Sequence, residues 1–181
     1  MKPLGLGWPN LVSVGRILLI PLLVWLILLD TRIASGWAAA VFVIGAVSDG
    51  LDGYLARRHR MQTLTGAWLD PLSDKLFVSA PTVALALDDR FPWWAVAVIV
   101  GREVAVSFLR WRLDQRSVSM PASRLAKWKT ASQLLAVFLY ILPIPGSWRD
   151  VRAGALIVAI ALTIYTGAEY FLTSRHRVEA R

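Results

Sequence analysis

The chain has 181 residues, 56% of them hydrophobic, with a mean hydropathy of +0.54 and a net charge of +8. That is too apolar for an ordinary soluble domain and too short for several domains, while apolar runs flanked by basic loops are the pattern of a membrane protein. The absence of cysteine excludes disulfides, thiol catalysis and thiolate metal sites.

Residues 1–9, with Lys2 and Trp8, read as a short interfacial segment. Asn10 to Leu29 is the first span; it is long for a signal-peptide core, lacks a small-residue cleavage site and is kept as structure. Arg16 lies inside it, and one reading is that its head snorkels to the lipid headgroups. Asp30 to Ser35 turns the chain into a second span, Gly36 to about Arg57, which ends in the basic loop Arg57-Arg58-His59-Arg60. His59, alone among arginines, reads as solvated. The third span, Gly66 to Leu87, contains Pro71, which frees a carbonyl near Ala67 either to bend the helix or to face a cavity.

Asp88-Asp89-Arg90 makes the next turn, and Pro92-Trp93-Trp94 an aromatic belt. The fourth span runs to about Arg112 and carries Arg102, Glu103 and Arg110. Arg102 and Arg110 are eight apart and so broadly on one face, and Glu103 reads as the partner of a neighbouring arginine. After a polar loop, Leu113 to Ser123, the fifth span runs from about Arg124 to Leu142, with Lys127 and Lys129 near its start. Pro143-Ile144-Pro145-Gly146 breaks it. The sixth span is about Val151 to Leu172. The expected architecture is an all-α integral membrane protein with six transmembrane helices: residues 10–172 as one domain, and residues 173–181 as a basic tail.

Six spans put both termini on one side. That side collects 13 of the 20 Lys and Arg, against 4 on the other, which makes it the cytoplasmic one. No nucleic-acid partner is expected.

The chemistry concentrates between residues 48 and 75. Asp49, Asp52, Asp70 and Asp74 sit in or beside runs apolar enough to enter a bilayer. Four unpaired carboxylates facing lipid would cost roughly 10–14 kcal/mol on the insertion scale. Such a cost persists only where the carboxylates face a cavity and bind something positive. Asp49 and Asp52 are three apart and Asp70 and Asp74 four apart, so each pair shares a helix face. In an antiparallel hairpin turning near residues 61–62, Asp49 matches Asp74 in depth and Asp52 matches Asp70. Four carboxylates converging at two adjacent levels suit hard divalent cations, which take oxygen ligands. The competing reading makes these aspartates helix caps or partners of Arg57 and Lys75, but capping explains one carboxylate per helix end and not two per face. Gly50 and Gly53 permit close backbone approach.

The pattern D-x-x-D-G-x-x-A-R, eight residues, then G-x-x-x-D-x-x-x-D resembles the signature of the CDP-alcohol phosphatidyltransferases. Asp49, Asp52, Gly53, Ala56, Arg57, Gly66, Asp70 and Asp74 fill all its fixed positions within 26 residues. Pro9-Asn10-Leu11 with Arg16, Asp70-Pro71-Leu72-Ser73-Asp74-Lys75, Arg102-Glu103 with Arg110, and Lys127-Trp128-Lys129-Thr130 extend the resemblance to the branch that uses glycerol 3-phosphate. Ala126 stands where that branch usually has Gly, and Ser73 where Ala is commoner.

The resemblance implies the CDP-alcohol phosphotransferase fold and a transfer of the phosphatidyl group from CDP-diacylglycerol to glycerol 3-phosphate, releasing CMP. It implies Mg2+ or Mn2+, two ions, on Asp49, Asp52, Asp70 and Asp74, with Asp74 also the catalytic base. It puts the nucleotide at Asn10, Gly53, Ala56, Arg57 and Gly66, offers Arg16 a place nearby as the alternative to snorkelling, and puts the acceptor phosphate at Arg102, Arg110, Lys127 and Lys129. A homodimer in the lipid bilayer, with the active site at the cytoplasmic face of a bacterial-type cell membrane, completes the expectation. Two alternatives remain: a cardiolipin-forming or inositol-phosphate-using branch of the family, and a divalent-cation transporter. The few polar residues in the non-cytoplasmic halves of the spans weigh against the transporter.

Overall fold

Apolar runs separated by charged or proline-bearing turns give, among the described residues of the computed structural model, six α-helices: α1 (Trp8–Leu28), α2 (Arg32–His59), α3 (Leu64–Leu87), α4 (Trp93–Gln115), α5 (Arg124–Ile141) and α6 (Arg149–Glu179). A single 3-10 turn, Gly146–Trp148, precedes α6. The structure describes residues 8–59, 64–115 and 124–179, with side chains over 14–48, 71–115 and 125–175. There are no strands among the described residues. The helices fall on the six expected spans. The main differences are at ends: α2 starts at Arg32, inside the expected turn, and α6 continues past Leu172 to Glu179. Both prolines of α3, Pro71 and Pro81, lie inside a continuous helix.

The chain divides into two compact units: residues 1–91 with 137–144, and residues 92–136 with 145–181.

In the first unit α1 packs against α2 and α3. Leu23, Ile27, Ala38, Phe42, Phe77 and Leu85 form its core. The Phe42 and Phe77 rings stack at 5.1 Å, 12° from parallel. Gly45 makes room for them: a Cβ there would fall 2.5 Å from Phe77 Cε2. This lock sets the rotation of α3 about its axis, and with it the direction of Asp74, three residues before Phe77.

The turns at one end are tied by Arg90. Its guanidinium donates to the Ile27 carbonyl (2.7 Å) at the end of α1 and to Ser35 Oγ (3.1 Å), and pairs with Asp88 at 2.5 Å. A cation on the last carbonyls of a helix suits its dipole. Asp30 and Asp89 take positive φ, 43° and 53°, at the tips of these turns, where aspartate tolerates the left-handed region. Thr31 caps α2 by accepting from the Ala34 amide (3.1 Å).

In the second unit α4 packs against α6. Ala95, Ile99, Leu156 and Ala159 are buried there, but so are Lys129, Gln133, Thr163 and Thr166. Gln133 Nε2 donates to Thr163 Oγ1 (2.8 Å), whose hydroxyl returns to the Ala159 carbonyl (2.6 Å). Buried polar groups paired in this way avoid the penalty of an unsatisfied group.

Among the described residues one helical stretch, Gly146–Arg175, is long and apolar enough to cross a membrane, and Val14–Leu28 and Arg32–Ser48 are shorter apolar stretches.

Candidate active site

The aspartate-bearing segments are helical, as the spacing argument requires. Asp49 and Asp52 lie on α2, Asp70 and Asp74 on α3. The side chains of Asn10, Asp49, Asp52, Gly53, Ala56, Arg57, Gly66 and Asp70 lie outside the described residues, which leaves Asp74 to characterise this end of the first unit.

Asp74 Oδ1 accepts from Arg16 Nη1 at 2.5 Å, across 58 residues of sequence. The Arg16 side chain is 4% exposed and that of Asp74 49%. The snorkelling reading of Arg16 is therefore corrected: the cation is inside the helix packing, where burial demands a carboxylate close by. The side chain of Arg57, the other partner considered for these aspartates, lies outside the described residues. The α1–α3 packing makes the pair, since Arg16 on α1 reaches α3 only because these helices lie side by side.

Half of the Asp74 side chain stays open, and its donor is a hard carboxylate oxygen. That fits a magnesium-like ion, which takes oxygen ligands and keeps some of its water. Among the described residues no group of three or more His, Asp or Glu is gathered, and the other three aspartates of the expected set are outside them.

The basic residues expected at the acceptor site all lie in the second unit. Arg102 and Lys129 converge on one oxygen: Arg102 Nη1 reaches Glu103 Oε1 at 3.1 Å, and Lys129 Nζ pairs with the same atom. Arg102 Nη2 also donates to Thr166 Oγ1 (3.3 Å) on α6. Its stem lies against Gly167, where a Cβ would meet Arg102 Cγ at 3.2 Å. Arg110 is exposed, with its Cζ 5.8 Å from the centre of the Tyr170 ring on α6. Lys127 is exposed on α5. Arg102 and Arg110 thus do share the α4 face turned to α6. Glu103 is the partner of a neighbouring arginine, as expected, but its second partner, Lys129, was not legible, because nothing local joins residues 26 apart. Tyr170 carried no sequence signal beyond an aromatic near a helix end.

Comparison with known proteins decides what this chain is related to. A family model described as CDP-alcohol phosphatidyltransferase matches residues 6–165. The chain belongs to the CDP-alcohol phosphatidyltransferase family. Three relatives, from Rickettsia typhi, Pseudomonas fluorescens and Bacillus subtilis, each carry the name CDP-diacylglycerol–glycerol-3-phosphate 3-phosphatidyltransferase. They are 38%, 37% and 36% identical to this chain, each over 90% of it, and the matches cover 94%, 87% and 92% of the relatives. The family is one of membrane enzymes, and the long apolar stretch of α6 accords with that.

Proposed function

We propose that this chain transfers the phosphatidyl group of CDP-diacylglycerol to sn-glycerol 3-phosphate, giving phosphatidylglycerophosphate and CMP at the cytoplasmic face of a cell membrane. The observation that carries the reading is the near full-length match to relatives of that name, together with all eight fixed positions of the family pattern.

Membrane insertion through six helices is supported by the helix lengths and by what they expose. The shortest, α5, has 18 residues, about 27 Å at the usual rise and near the thickness of a bilayer core. Leu18, Leu22 and Trp25 on α1, Ile33 and Trp37 on α2, and Ile157, Val158 and Ile164 on α6 are all exposed. Apolar surface on that scale needs lipid or a partner. A homodimer is part of the proposal and would cover some of it.

In the proposed reaction Asp49, Asp52, Asp70 and Asp74 hold the divalent ions. When bound, these ions neutralise charge on the pyrophosphate oxygens and favour departure of CMP. Gly53 and Ala56 offer a small-residue face to the nucleotide, with Asn10 and Gly66 beside it, and Arg57 binds phosphate. The glycerol hydroxyl attacks the phosphorus that bears the diacylglycerol, the bond to the CMP oxygen breaks, and a carboxylate oxygen of Asp74 takes the hydroxyl proton. Arg16 holds that carboxylate in place, so its orientation is set before the acceptor arrives. Arg110 and Lys127, both exposed, supply positive charge for the acceptor phosphate, and Arg102 and Lys129, which share Glu103, add to the positive field behind them.

CMP release from the purified, reconstituted chain tests the reading. Glycerol 3-phosphate should support it and inositol 1-phosphate, phosphatidylglycerol, serine and free inositol should not. Turnover with phosphatidylglycerol or inositol 1-phosphate in its place would move the chain to another branch of the family.

A further inference from the structure

The buried polar atoms of α4 and α6 that lack a hydrogen-bond partner are the Nε of Arg102, the Nε of Arg152 and one hydroxyl, that of Tyr170. The Tyr170 hydroxyl is buried and has no hydrogen-bond partner among the described residues. Buried phenols ordinarily find a partner, and one that does not calls for a specific explanation. The same ring lies under the guanidinium of Arg110, a geometry in which the aromatic face steadies a cation. Arg110 remains exposed. A cation and an unused donor therefore stand together on neighbouring helices, and their complement is an anion with oxygen acceptors.

We propose that Tyr170 is an acceptor-binding residue, whose hydroxyl donates to the phosphate of the alcohol phosphate held by Arg110. The identity of that acceptor rests on the proposed function, whereas the anion site rests on Tyr170 and Arg110 themselves. The ring has a second duty, keeping the guanidinium in one orientation instead of the many a long exposed side chain samples. Together they favour a phosphorylated acceptor over its free alcohol, because without the phosphate the buried hydroxyl and the cation both go unanswered.

The purely structural alternative is that the ring only fills space between α4 and α6. Tyr170→Phe separates the two, since it keeps ring and stacking and removes one donor. A hydroxyl with no protein partner contributes nothing to the fold, so Tyr170→Phe should melt at or above the wild-type temperature. Its KM for glycerol 3-phosphate should rise about 10-fold, while the KM for CDP-diacylglycerol moves by less than about two-fold. Thermal shifts of the full chain in detergent, titrated with glycerol 3-phosphate and separately with inorganic phosphate, give a readout independent of turnover. Both ligands should stabilise wild type, and both should do so about 10-fold more weakly in Tyr170→Phe.

An unchanged response to either ligand, or a loss confined to glycerol 3-phosphate, would overturn the phosphate contact. So would a wild type that responds to neither. Wild type that binds both ligands but releases no CMP with glycerol 3-phosphate would sink the proposed function and leave the anion site standing.

Discussion

Two charged clusters, one in each unit of the chain, bury their charge in opposite ways. In the first, a cation is buried and its carboxylate left half open: Arg16 is 4% exposed and Asp74 49%. In the second, a carboxylate is enclosed between two cations, Glu103 at 14% exposure with Lys129 at 7% and Arg102 at 16%. The first leaves about half of the Asp74 side chain exposed. The second gathers two cations about one carboxylate. Buried charge is tolerated only when paired, and the two clusters differ in which partner is left the more exposed.

The largest effect should come from removing the negative set. Asp49→Asn, Asp52→Asn, Asp70→Asn and Asp74→Asn should each nearly abolish CMP release while the protein still inserts. Asn keeps the shape and loses the charge that a divalent ion requires. If two or more of these variants retain over about a tenth of wild-type turnover, roughly 1.4 kcal/mol of transition-state stabilisation or less, the aspartates are not a metal cage. Glu103 in the second unit should show no comparable metal-linked dependence.

Chelation tests the same half of the comparison without altering the chain. Exhaustive removal of divalent ions should stop turnover, with magnesium or manganese restoring it, since the expected ligands are all oxygen. Full activity after chelation would leave the half-open carboxylate of Asp74 without the role assigned to it.

Replacing a cation of the second unit should act on one substrate only. Arg110→Ala and Lys127→Ala should each raise the KM for glycerol 3-phosphate by about 10- to 150-fold, the worth of one charge-assisted hydrogen bond. The KM for CDP-diacylglycerol should hardly move. Equal losses for both substrates, or none for either, would place the acceptor phosphate elsewhere. Both residues are exposed, so a loss confined to one KM is not readily explained by unfolding.

How much of this was legible follows from the range of each interaction. Asp49, Asp52, Asp70 and Asp74 announce themselves within 26 residues, because aspartate in an apolar run is costly and helical spacing places the pairs. The six helices follow from apolar runs broken at Asp30, at the basic loop 57–60, at Asp88-Asp89, at the polar loop 113–123 and at Pro143. Arg16 was ambiguous because snorkelling and burial share one sequence pattern, and only the packing of α1 on α3 separates them. Lys129 looked like an available cation and proved to be buried on Glu103, a contact made by folding across 26 residues. The grouping of residues 137–144 with the first 91 was illegible for the same reason.

The smallest predicted effect probes how closely the second unit is fitted around its cations. Gly167 on α6 faces the Arg102 stem, and a Cβ there would sit 3.2 Å from Cγ and 3.7 Å from Nε. The first distance is tighter than ordinary packing. Arg102 must therefore yield by a few tenths of an ångström, which its flexible stem allows but its bonds to Glu103 and Thr166 resist. Gly167→Ala should also favour the helix itself, by up to about 1 kcal/mol where no strain opposes it. The two effects separate by readout. Thermal stability should hold or rise slightly, while the KM for glycerol 3-phosphate should increase about two- to three-fold, roughly 0.5 kcal/mol, as Arg102 is displaced. An unchanged KM would show that Arg102 serves only to bury Glu103, and the acceptor cations would reduce to the exposed Arg110 and Lys127. A loss of stability in its place would mean that Arg102 cannot yield, and that α4 and α6 are held as rigidly around their charge as the first unit is around Phe42 and Phe77.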